Sequence, residues 1–452
     1  MSFPRYPEYK DSGVEWLGEV PGHWESWKIS HAFGHIGSGT TPPSNEPAWY
    51  DEGEIPWVTT GELRENVITC TAKGVTREAV ERFGSLRIYP PGSLVVAMYG
   101  ATIGRLGVLG IHAATNQACC VLASPASLAV RFVFHWLSAF KERLVDLYAY
   151  GGGQPNISQE VVASLRIPAP SIEEQLSIAA FLDRETAKID ALVAEQQNLI
   201  ELLKEKRQAL ISHAVTKGLD PDVPMKDSGV AWLGEVPAHW EVLKLKHVSP
   251  EITVGIVVEP SKYYCETGVP ALRSLNVKPG SILLENLVFI SEEANEALAK
   301  SCLRAGDIVA VRSGQPGTSA VIPEELDGCN CIDLLIIRRP KKGSEHYLCW
   351  YLSSDPALRQ FAEGSGGAIQ QHFNVSTATS LRVATPPPAE QLRIDQFLRS
   401  EVSKFDALVL EAEATIDLLQ ERRTALISAA VTGKIDVRRL AAATSEPTPE
   451  AA

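Results

Sequence analysis

The strongest constraint on the fold of this chain is an internal duplication. Residues 10–25 read KDSGVEWLGEVPGHWE, and residues 226–241 repeat them at fourteen of sixteen positions, at an offset of 216 residues. At the same offset, residues 174–220 and 390–436 share 26 of 47 positions. A period of 216 residues is far too long for a solenoid, whose repeats span about 20–45 residues. The sequence therefore predicts two copies of one domain, each followed by one helix.

The two stretches between the repeated blocks have diverged. Residues 26–163, which we call the first head, and residues 242–379, the second head, show little mutual identity. Preserved ends suit a scaffold and the partners that dock on it, whereas diverged middles suit two heads that recognise different targets. Neutral drift of two packing domains is the alternative explanation.

The heads have the pattern of mixed α/β domains. Short apolar runs bounded by Gly, Pro or Asn, at residues 93–99 and 118–122 and again at 307–311 and 332–337, are typical of buried strands. Each head closes with a helical pattern, over 131–148 in the first copy and 345–361 in the second.

The repeated C-terminal blocks carry a heptad pattern. Apolar residues recur every seven positions over about four heptads, at Leu182, Ile189, Leu203 and Leu210 in the first copy, where Gln196 fills the remaining position, and at Leu398, Phe405, Ala412, Leu419 and Leu426 in the second. The residues predicted to widen this apolar stripe are Leu192, Val193, Leu199 and Ile200 in the first copy and Leu408, Val409 and Ile416 in the second. Two matching stripes in one chain predict an antiparallel coiled coil.

The predicted fold class is α/β (α+β), with two mixed α/β domains separated by two long antiparallel coiled-coil helices in a pseudo-twofold duplication. The first domain is expected at residues 1–170 and the first spacer helix at 171–220. The second domain is expected at 221–386 and the second spacer helix at 387–436, followed by a disordered tail at 437–452.

Motifs of enzymatic chemistry are absent from the sequence. There is no Walker loop, no GxGxxG after a strand, no HExxH, no GxSxG and no methyltransferase signature of Asn or Asp, two prolines and an aromatic residue. The eight cysteines form no CxxC pair, and the ten histidines are dispersed. We therefore predict a chain without catalytic residues, metal ligands or a bound cofactor, and with reduced, mostly buried thiols.

Charge and hydropathy bear on partners and compartment. The net charge is −13, but the first head carries only −1 and the second −2, so the acidity lies mostly outside the heads. Near-neutral heads could bind DNA together with a basic partner, since phosphate contacts supply affinity and base contacts supply specificity. The sequence has no apolar run of the roughly 20 residues that span a bilayer and no apolar signal core at its N-terminus, which predicts a cytoplasmic protein without membrane contact.

The duplicated motifs resemble those of a known family. They comprise the Ser12-Gly13-Val14-x-Trp16-Leu17-Gly18-x-Val20-Pro21-x-His23-Trp24 opening with its copy at 228–240, the Gly39-Thr40-Thr41-Pro42 loop followed by Ile55-Pro56-Trp57-Val58-Thr59, the Ala101-Thr102-Ile103-Gly104 turn, Asn116-Gln117, and the Pro170-x-x-Glu173-Glu174-Gln175-x-x-Ile178 entry to the long helix, repeated from Pro387. Taken in order over residues 10–436, this set resembles the specificity (S, or HsdS-type) subunits of type I restriction-modification systems.

The resemblance implies a function in DNA recognition. Such subunits carry two target-recognition domains, each reading one half of a bipartite asymmetric sequence, and their paired helices set the unread spacer. Adenine-N6 methyltransferase subunits, expected to be two, dock on the repeated regions and bring S-adenosylmethionine. A restriction/translocase subunit, with ATP and magnesium, completes the complex. The specificity subunit itself catalyses nothing.

Candidate DNA contacts follow from the side chains that read base edges, which are Arg or Lys for guanine, Asn or Gln for adenine, and Ser or Thr for either. The candidates near turns or glycines are Thr40, Thr59, Arg105, Asn116, Gln117, Gln154 and Asn156 in the first head and Lys262, Arg273, Asn276, Arg312, Ser313, Gln315 and Gln370 in the second. For each of them, a solvated side chain or turn cap is the alternative. The tryptophans repeated in both copies are predicted to be scaffold anchors or methyltransferase contacts, namely Trp16, Trp24, Trp232 and Trp240.

Two other functions fit parts of the pattern. A two-headed protein-interaction adaptor would use the coiled coil to space two peptide-recognition domains. A self-contained modification enzyme would need a cofactor-binding motif, which the sequence lacks. Adjacent genes for an adenine methyltransferase and a helicase-nuclease would favour the DNA-recognition hypothesis.

Overall fold

The computed structural model describes residues 3–149, 156–363 and 374–442. The chain divides into two units. Unit 1 contains the chain up to Glu195 and again from Thr415 onward, and unit 2 is Gln196–Ala414. Each unit therefore holds one head, the first part of one long helix and the last part of the other, whereas the repeat alone suggested a sequential order of head and helix. The unit boundaries fall within the long helices, after Glu195 in the first and after Ala414 in the second, so the two ends of each helix belong to different units.

The described strands of the first repeat are β1 (Tyr9–Asp11), β2 (Glu19–Pro21), β3 (Glu25–Lys28), β4 (Phe33–Ser38), β5 (Ile55–Val58), β6 (Asn66–Ile68), β7 (Gly74–Val75), β8 (Leu94–Ala97), β9 (Leu106–Leu109), β10 (Ala114–Thr115), β11 (Cys119–Pro125) and β12 (Arg166–Ala169). The helices are α1 (Ile29–Ala32), α2 (Arg77–Arg82), α3 (Val130–Tyr148), α4 (Gln159–Ser164) and α5 (Ile172–Lys217).

The described strands of the second repeat are β13 (Met225–Asp227), β14 (Glu235–Pro237), β15 (Glu241–Lys244), β16 (Ile252–Val254), β17 (Tyr264–Cys265), β18 (Val269–Leu272), β19 (Val277–Lys278), β20 (Ser281–Ile282), β21 (Val288–Ile290), β22 (Ile308–Val311), β23 (Ser319–Val321), β24 (Asn330–Cys331), β25 (Leu334–Ile337) and β26 (Arg382–Thr385). The helices are α6 (Leu245–Val248), α7 (Glu292–Ala297), α8 (Glu345–Leu352), α9 (Asp355–Glu363), α10 (Val375–Ser380), α11 (Pro388–Val431) and α12 (Arg438–Ala442).

Each head is built on a main sheet buried on both faces. The strand order is β4-β11-β8-β9-β6 in the first head and β16-β25-β22-β23 in the second. In β8, Leu94 and Val96 pack toward α3, while Val95 and Ala97 pack into a second cluster on the opposite face. Burial on both faces explains why the sequence shows unbroken apolar runs instead of alternation. The four predicted strand segments are confirmed.

The closing helix of the second head differs from the prediction. Instead of one helix over 345–361, the structure has α8 and α9 with a break at Ser353-Ser354. Pro356 lies in the first turn of α9, where its missing amide hydrogen costs nothing, but in a continuous helix it would remove a backbone hydrogen bond. The corresponding helix of the first head, α3, is continuous as predicted.

Two paired strands join each head to the repeated segments. In unit 1, β3 pairs antiparallel with β12, from Glu25 opposite Ala169 to Lys28 opposite Arg166. In unit 2, β15 pairs in the same way with β26. The chain therefore enters and leaves each head at neighbouring positions, so each head is an insertion into a constant framework.

The two long helices run antiparallel within each unit. In unit 1, Ile178 and Leu182 of α5 share a core with Ile427 and Val431 of α11, and the Arg423 guanidinium donates to Asp190 (2.9 Å). In unit 2, the Arg207 guanidinium donates to Asp406 (2.9 Å). These two ion pairs are equivalent at the 216-residue offset, so the predicted antiparallel pairing of the helices is found in both units.

The flanks of the heptad stripe differ from the prediction. Heptad residues such as Leu182, Ile189 and Leu398 are buried as expected. Of the residues predicted to widen the stripe, Ile200 is buried and Val193, Val409 and Ile416 are half-buried, whereas Leu192, Leu199 and Leu408 are exposed. A pair of helices buries only a narrow seam, so residues on its flank remain at the surface.

The repeated tryptophans anchor the framework. The Glu174 carboxylate, at the start of α5, accepts hydrogen bonds from the Tyr6 hydroxyl (2.6 Å) and the Trp24 indole (3.1 Å), and the His23 imidazole lies 2.9 Å away. Trp24 and its counterpart Trp240 are fully buried, which agrees with the predicted alternative of scaffold anchors and leaves their side chains no exposed surface for a methyltransferase contact. The other two repeated tryptophans, Trp16 and Trp232, are half-buried against the cores of their units.

The predicted tail at 437–452 is ordered at its start. The Asp436 amide donates to the Pro4 carbonyl (2.8 Å), Val437 is fully buried in the core of unit 1, and α12 follows. The Arg438 guanidinium lies 4.8 Å from the centre of the Tyr6 ring, which favours this arrangement. The disorder prediction is therefore wrong for 437–442, and residues 443–452 lie outside the described residues.

Candidate nucleic-acid interface

Four strands of the first head end side by side. β4 and β8 run in the same direction because each pairs antiparallel with β11, and β5 is parallel to β10. The Thr40 amide donates to the Thr115 carbonyl (3.1 Å) and the Asn116 amide to the Val58 carbonyl (3.0 Å), which joins the two sheets at this end. We call the residues beyond these strand ends, 39–42, 59–61, 98–105 and 116–118 together with Asn156, the first edge.

The first edge brings together most of the residues predicted to contact DNA in this head. Those found here are Thr40, Thr59, Arg105, Asn116, Gln117 and Asn156. Asn156 joins through a backbone bridge to Tyr99, next to the hydrogen bond from the Ile157 amide to the Met98 carbonyl (2.9 Å). Gln154 lies outside the described residues.

The polar side chains of the first edge differ in how much of their hydrogen-bonding capacity is available to a ligand. Thr59 caps a short helical turn, with its hydroxyl 3.1 Å from Glu62, and the Asn116 side chain accepts a hydrogen bond from the Ala118 amide (3.2 Å). These contacts fix the shape of the turns. In contrast, Thr41 and Gln117 are both exposed and hydrogen-bond to each other across the edge. Their remaining donor and acceptor capacity faces solvent.

The second head repeats this edge, with the segments after β16 and β24 at an offset of 216 residues and those after β18 and β22 at an offset of 214. A Cβ atom on Gly39 would collide with the Thr115 carbonyl oxygen, and a Cβ atom on Gly255 would collide with the Cys331 carbonyl oxygen. Both positions therefore require glycine for close approach of two backbones. The residues beyond the corresponding strand ends, 255–258, 273–274, 312–318 and 332–333, form the second edge.

The same backbone hydrogen bonds build the second edge. The Ile256 amide donates to the Cys331 carbonyl (2.8 Å), as Thr40 does to Thr115, and the Ile332 amide donates to the Leu272 carbonyl (2.8 Å), as Asn116 does to Val58. The predicted contacts that lie on the second edge are Arg273, Arg312, Ser313 and Gln315. Gln370 lies outside the described residues.

Two predicted contacts of the second head lie elsewhere. Asn276 is fully buried, and its side-chain amide donates to the carbonyls of Leu283 (3.1 Å) and Glu285 (2.9 Å). The prediction that it contacts DNA is wrong, because its polar group already closes an internal turn. Lys262 lies in the turn beyond β16, exposed and ion-paired with Glu259.

Sequence reasoning missed several edge residues. Tyr99, Val257, Val258 and Asp333 all lie on an edge with side chains that are exposed or half-buried. Val257 and Asp333 occupy the positions of Thr41 and Gln117 at the 216-residue offset. Extending the repeat through the diverged heads from the paired glycines would have identified them.

The second edge carries an ion pair. The Arg312 guanidinium lies 2.5 Å from the Asp333 carboxylate, with the arginine mostly buried.

Behind the first edge, burial raises the pKa of the Cys119 and Cys120 thiols to about 12, so both stay protonated at neutral pH and pack as apolar groups. All eight cysteines are free thiols and most are buried, as predicted.

The chain is similar to known proteins of one kind. The family described as the type I restriction modification DNA specificity domain matches residues 21–202. The specificity subunit of the type I restriction enzyme MjaVIII from Methanocaldococcus jannaschii is 23% identical over 428 residues, covering 93% of this chain and 95% of that protein. The specificity subunit of EcoR124I/EcoR124II from Escherichia coli is 24% identical over 211 residues, covering 46% of this chain and 51% of that protein. Residues 21–202 of this chain match the type I restriction modification DNA specificity domain, and most of its length is similar to type I specificity subunits.

Solved structures share the fold of this chain. A chain from a structural study of complex assembly and conformational transition in a type I restriction-modification system aligns with a TM-score of 0.66 at 17% identity, covering 92% of this chain and 99% of that chain. The HsdS subunit from Thermoanaerobacter tengcongensis aligns with a TM-score of 0.52 at 15% identity, covering 92% and 98%.

The described residues offer neither a metal site nor a membrane-spanning helix. Across 3–149, 156–363 and 374–442, no group of three or more His, Cys, Asp and Glu side chains is placed to hold a metal ion. Within the same ranges, no helix combines the length and the apolar character that crossing a bilayer requires.

The glycine at the first edge gives a testable prediction. We expect Gly39→Ala to push β4 away from Thr115 and to displace the first edge, so that sequence selectivity is lost in one half of the methylated motif only. Loss of two base contacts at about 1–3 kcal/mol each corresponds to a loss of selectivity of roughly 100-fold. Methylome sequencing of cells that express the variant with its methyltransferase partner would measure it.

The matched control for this substitution is Gly84→Ala, because a Cβ atom at Gly84 meets no atom within 4 Å. The control should leave both halves of the motif unchanged. Full selectivity retained by Gly39→Ala would contradict the assignment of the first edge.

Proposed function

We propose that this chain directs a type I restriction-modification complex to a bipartite, asymmetric DNA sequence. Each head reads one half of the sequence through its edge, and the long helices set the length of the unread spacer. Methylation of adenine N6 and restriction are carried out by partner subunits.

The observation that carries this proposal is one edge built twice with different side chains. Gly39 and Gly255 support the same backbone crossing, yet the exposed pair Thr41 and Gln117 of the first head is replaced by Val257 and Asp333 in the second. A constant backbone with variable side chains suits two recognition surfaces of common geometry and different specificity. Glutamine reads adenine, whereas aspartate accepts from cytosine, so the two heads would prefer different bases.

The long helices support the role of a spacer. α5 passes from unit 1 into unit 2, and α11 passes from unit 2 into unit 1. Their rise of about 1.5 Å per residue links the number of residues to a distance along the DNA, on which base pairs are spaced by about 3.4 Å.

Exposed leucines on the long helices support two equivalent docking sites for methyltransferase subunits. These leucines are conserved between the repeats at the 216-residue offset and exposed in both, as the pairs Leu176 and Leu392, Leu192 and Leu408, and Leu202 and Leu418. Exposed apolar side chains at equivalent places favour one partner bound twice. Trp16 and Trp232, half-buried in both copies, are the remaining tryptophans that could extend these sites.

The chemistry is assigned to the partners of this chain. We propose that S-adenosylmethionine binds the methyltransferase subunits, that ATP and magnesium serve the restriction/translocase subunit, and that this chain has no catalytic activity of its own. The assembled complex would act on double-stranded DNA in the cytoplasm, without membrane contact.

Mapping the methylated sequence tests the proposal. The chain is co-expressed with the methyltransferase encoded beside its gene in a host without DNA methylation, and N6-methyladenine is mapped by single-molecule sequencing. We expect one split motif methylated on both strands, and no methylation of that motif when the methyltransferase is expressed without this chain.

The contrary result would favour another function. If the methyltransferase folds and binds this chain but no split motif is methylated, the proposed DNA recognition is wrong. A two-headed adaptor, whose heads bind peptides, would then be the better explanation.

A further inference from the structure

Two adjacent valines at the second edge are unusually exposed. Val257 and Val258 follow β16 with relative exposures of 49% and 73%, and Val258 is the most exposed large apolar residue of the described part of the chain. Exposed apolar side chains cost solvation free energy, and two in succession form a small apolar tip.

The backbone holds this tip in place. The Ile256 amide donates to the Cys331 carbonyl (2.8 Å), and the Asp333 amide donates to the Ile256 carbonyl (3.0 Å), so the residue before the valines is bound on both sides. The residue after them, Glu259, has a φ of 41°, in the left-handed region that non-glycine residues rarely adopt, and Pro260 follows. Because valine is also restricted at χ1, the tip presents its methyl groups with little conformational freedom.

The surroundings of the tip carry cationic groups. Arg273 and Arg312 lie on the same edge, and Lys262 lies in the next turn. Two of these cations are ion-paired, Arg312 with Asp333 and Lys262 with Glu259, and the Arg273 guanidinium donates to the Asn286 carbonyl (2.7 Å). The tip is therefore apolar, and it lies on the edge that also carries predicted base-reading side chains. An apolar side chain at such an edge is complementary to the C5-methyl group that thymine presents in the major groove of DNA.

We propose that Val257 and Val258 recognise the C5-methyl group of thymine in the half-site read by the second head. The inference rests on the proposed function of the chain and names specificity-determining residues within it. The first head has Thr41 and Pro42 at these positions, and Thr41 is hydrogen-bonded to Gln117, so its edge lacks the valine tip. The difference gives the two heads different preferences at equivalent positions.

The test removes methyl groups from the DNA in one set of measurements and from the protein in another. Duplexes carrying the mapped motif are prepared with each thymine of the second half-site replaced in turn by deoxyuridine, which lacks only the C5-methyl group. Their affinities for the complex of this chain with its methyltransferase are measured for the wild type and for Val257→Ser combined with Val258→Ser. The matched control is Val67→Ser, because Val67 is exposed to a similar extent (52%) but lies within β6, away from both edges.

We expect one deoxyuridine substitution to weaken binding of the wild type and of the control about fourfold, the value for one buried methyl-sized group. The double variant should bind the thymine duplex more weakly and should no longer distinguish it from the deoxyuridine duplex. Such a result would localise recognition of the methyl group to the valine tip.

The inference would be overturned by a second half-site without thymine or by deoxyuridine substitutions that leave wild-type binding unchanged. A double variant that still distinguishes the two duplexes would overturn it as well. A double variant that loses the methyltransferase while retaining the wild-type DNA preference would also overturn it, because the tip would then be a protein contact. Absence of any split motif with the wild type would instead contradict the proposed function, which is decided before any variant is made.

Discussion

Replacing residues 29–165 by the corresponding segment of another type I specificity subunit is expected to change one half of the methylated motif and to leave the other half intact. These residues lie between β3 and β12, which pair with each other at the base of the head. Because both junctions lie at neighbouring strand ends, a foreign head can be joined without altering the framework. Each base pair read wrongly costs about 1–3 kcal/mol, so an exchanged half-site of three base pairs should reduce methylation of the original motif at least 100-fold.

The measurement is methylome sequencing of the chimera, with the reciprocal exchange of residues 245–381, between β15 and β26, as the matched experiment. The first chimera should alter one half-site and the second chimera the other. Two altered halves in either chimera would contradict the independence of the heads, and an altered spacer would show that the heads contribute to spacing.

Removal of one heptad from each long helix is expected to shorten the spacer by about three base pairs while both half-sites persist. Seven residues span about 10.5 Å of helix, and base pairs are about 3.4 Å apart. Residues 193–199 and 414–420 are suitable, because the ion pairs Asp190–Arg423 of unit 1 and Arg207–Asp406 of unit 2 lie outside both deletions. A whole heptad also keeps the apolar seam nearly in phase, with a drift of only about 20°.

The control deletes four residues, 195–198 and 415–418, which changes the phase of the seam as well as its length. We expect the four-residue variant to lose activity or stability in a thermal unfolding measurement, whereas the heptad variant keeps both and methylates a motif with a shorter spacer. An unchanged spacer in an active heptad variant would disprove the spacer role of the helices.

Much of this fold could be predicted from the sequence because its signals are local or repeated. The apolar run at 93–99 is a doubly buried strand, and the heptads of α5 and α11 form antiparallel seams. The predictions failed where tertiary context decides. Asn276 is of a residue type that reads base edges, but its side-chain amide donates hydrogen bonds to the backbone carbonyls of Leu283 and Glu285. Leu192 is of a residue type common in protein cores, but it is exposed because the contact between the two helices buries only a narrow stripe.

The candidate site was predicted in part. Polar residues near turns or glycines identified Thr40, Asn116 and Gln117, because strand ends and close backbone approaches have recognisable sequence signals. The valine tip gave no such signal, since apolar residues after a strand read as more strand or as core. Its exposure depends on the crossing of Gly255 over β24, which pairs residues about 75 positions apart and has no local signature.

The division of the chain reverses the usual order of folding during synthesis. Unit 2 is one continuous stretch, Gln196–Ala414, whereas unit 1 starts at the N-terminus and is completed only by residues from Thr415 onward. Translation proceeds at about 5–20 residues per second and domains generally fold as they emerge. The ribosome therefore releases everything unit 2 needs first, and the first head, although made earliest, waits for Ile427, Val431 and Val437 to close its core. A message truncated near its end would spoil the first recognition domain and spare the second.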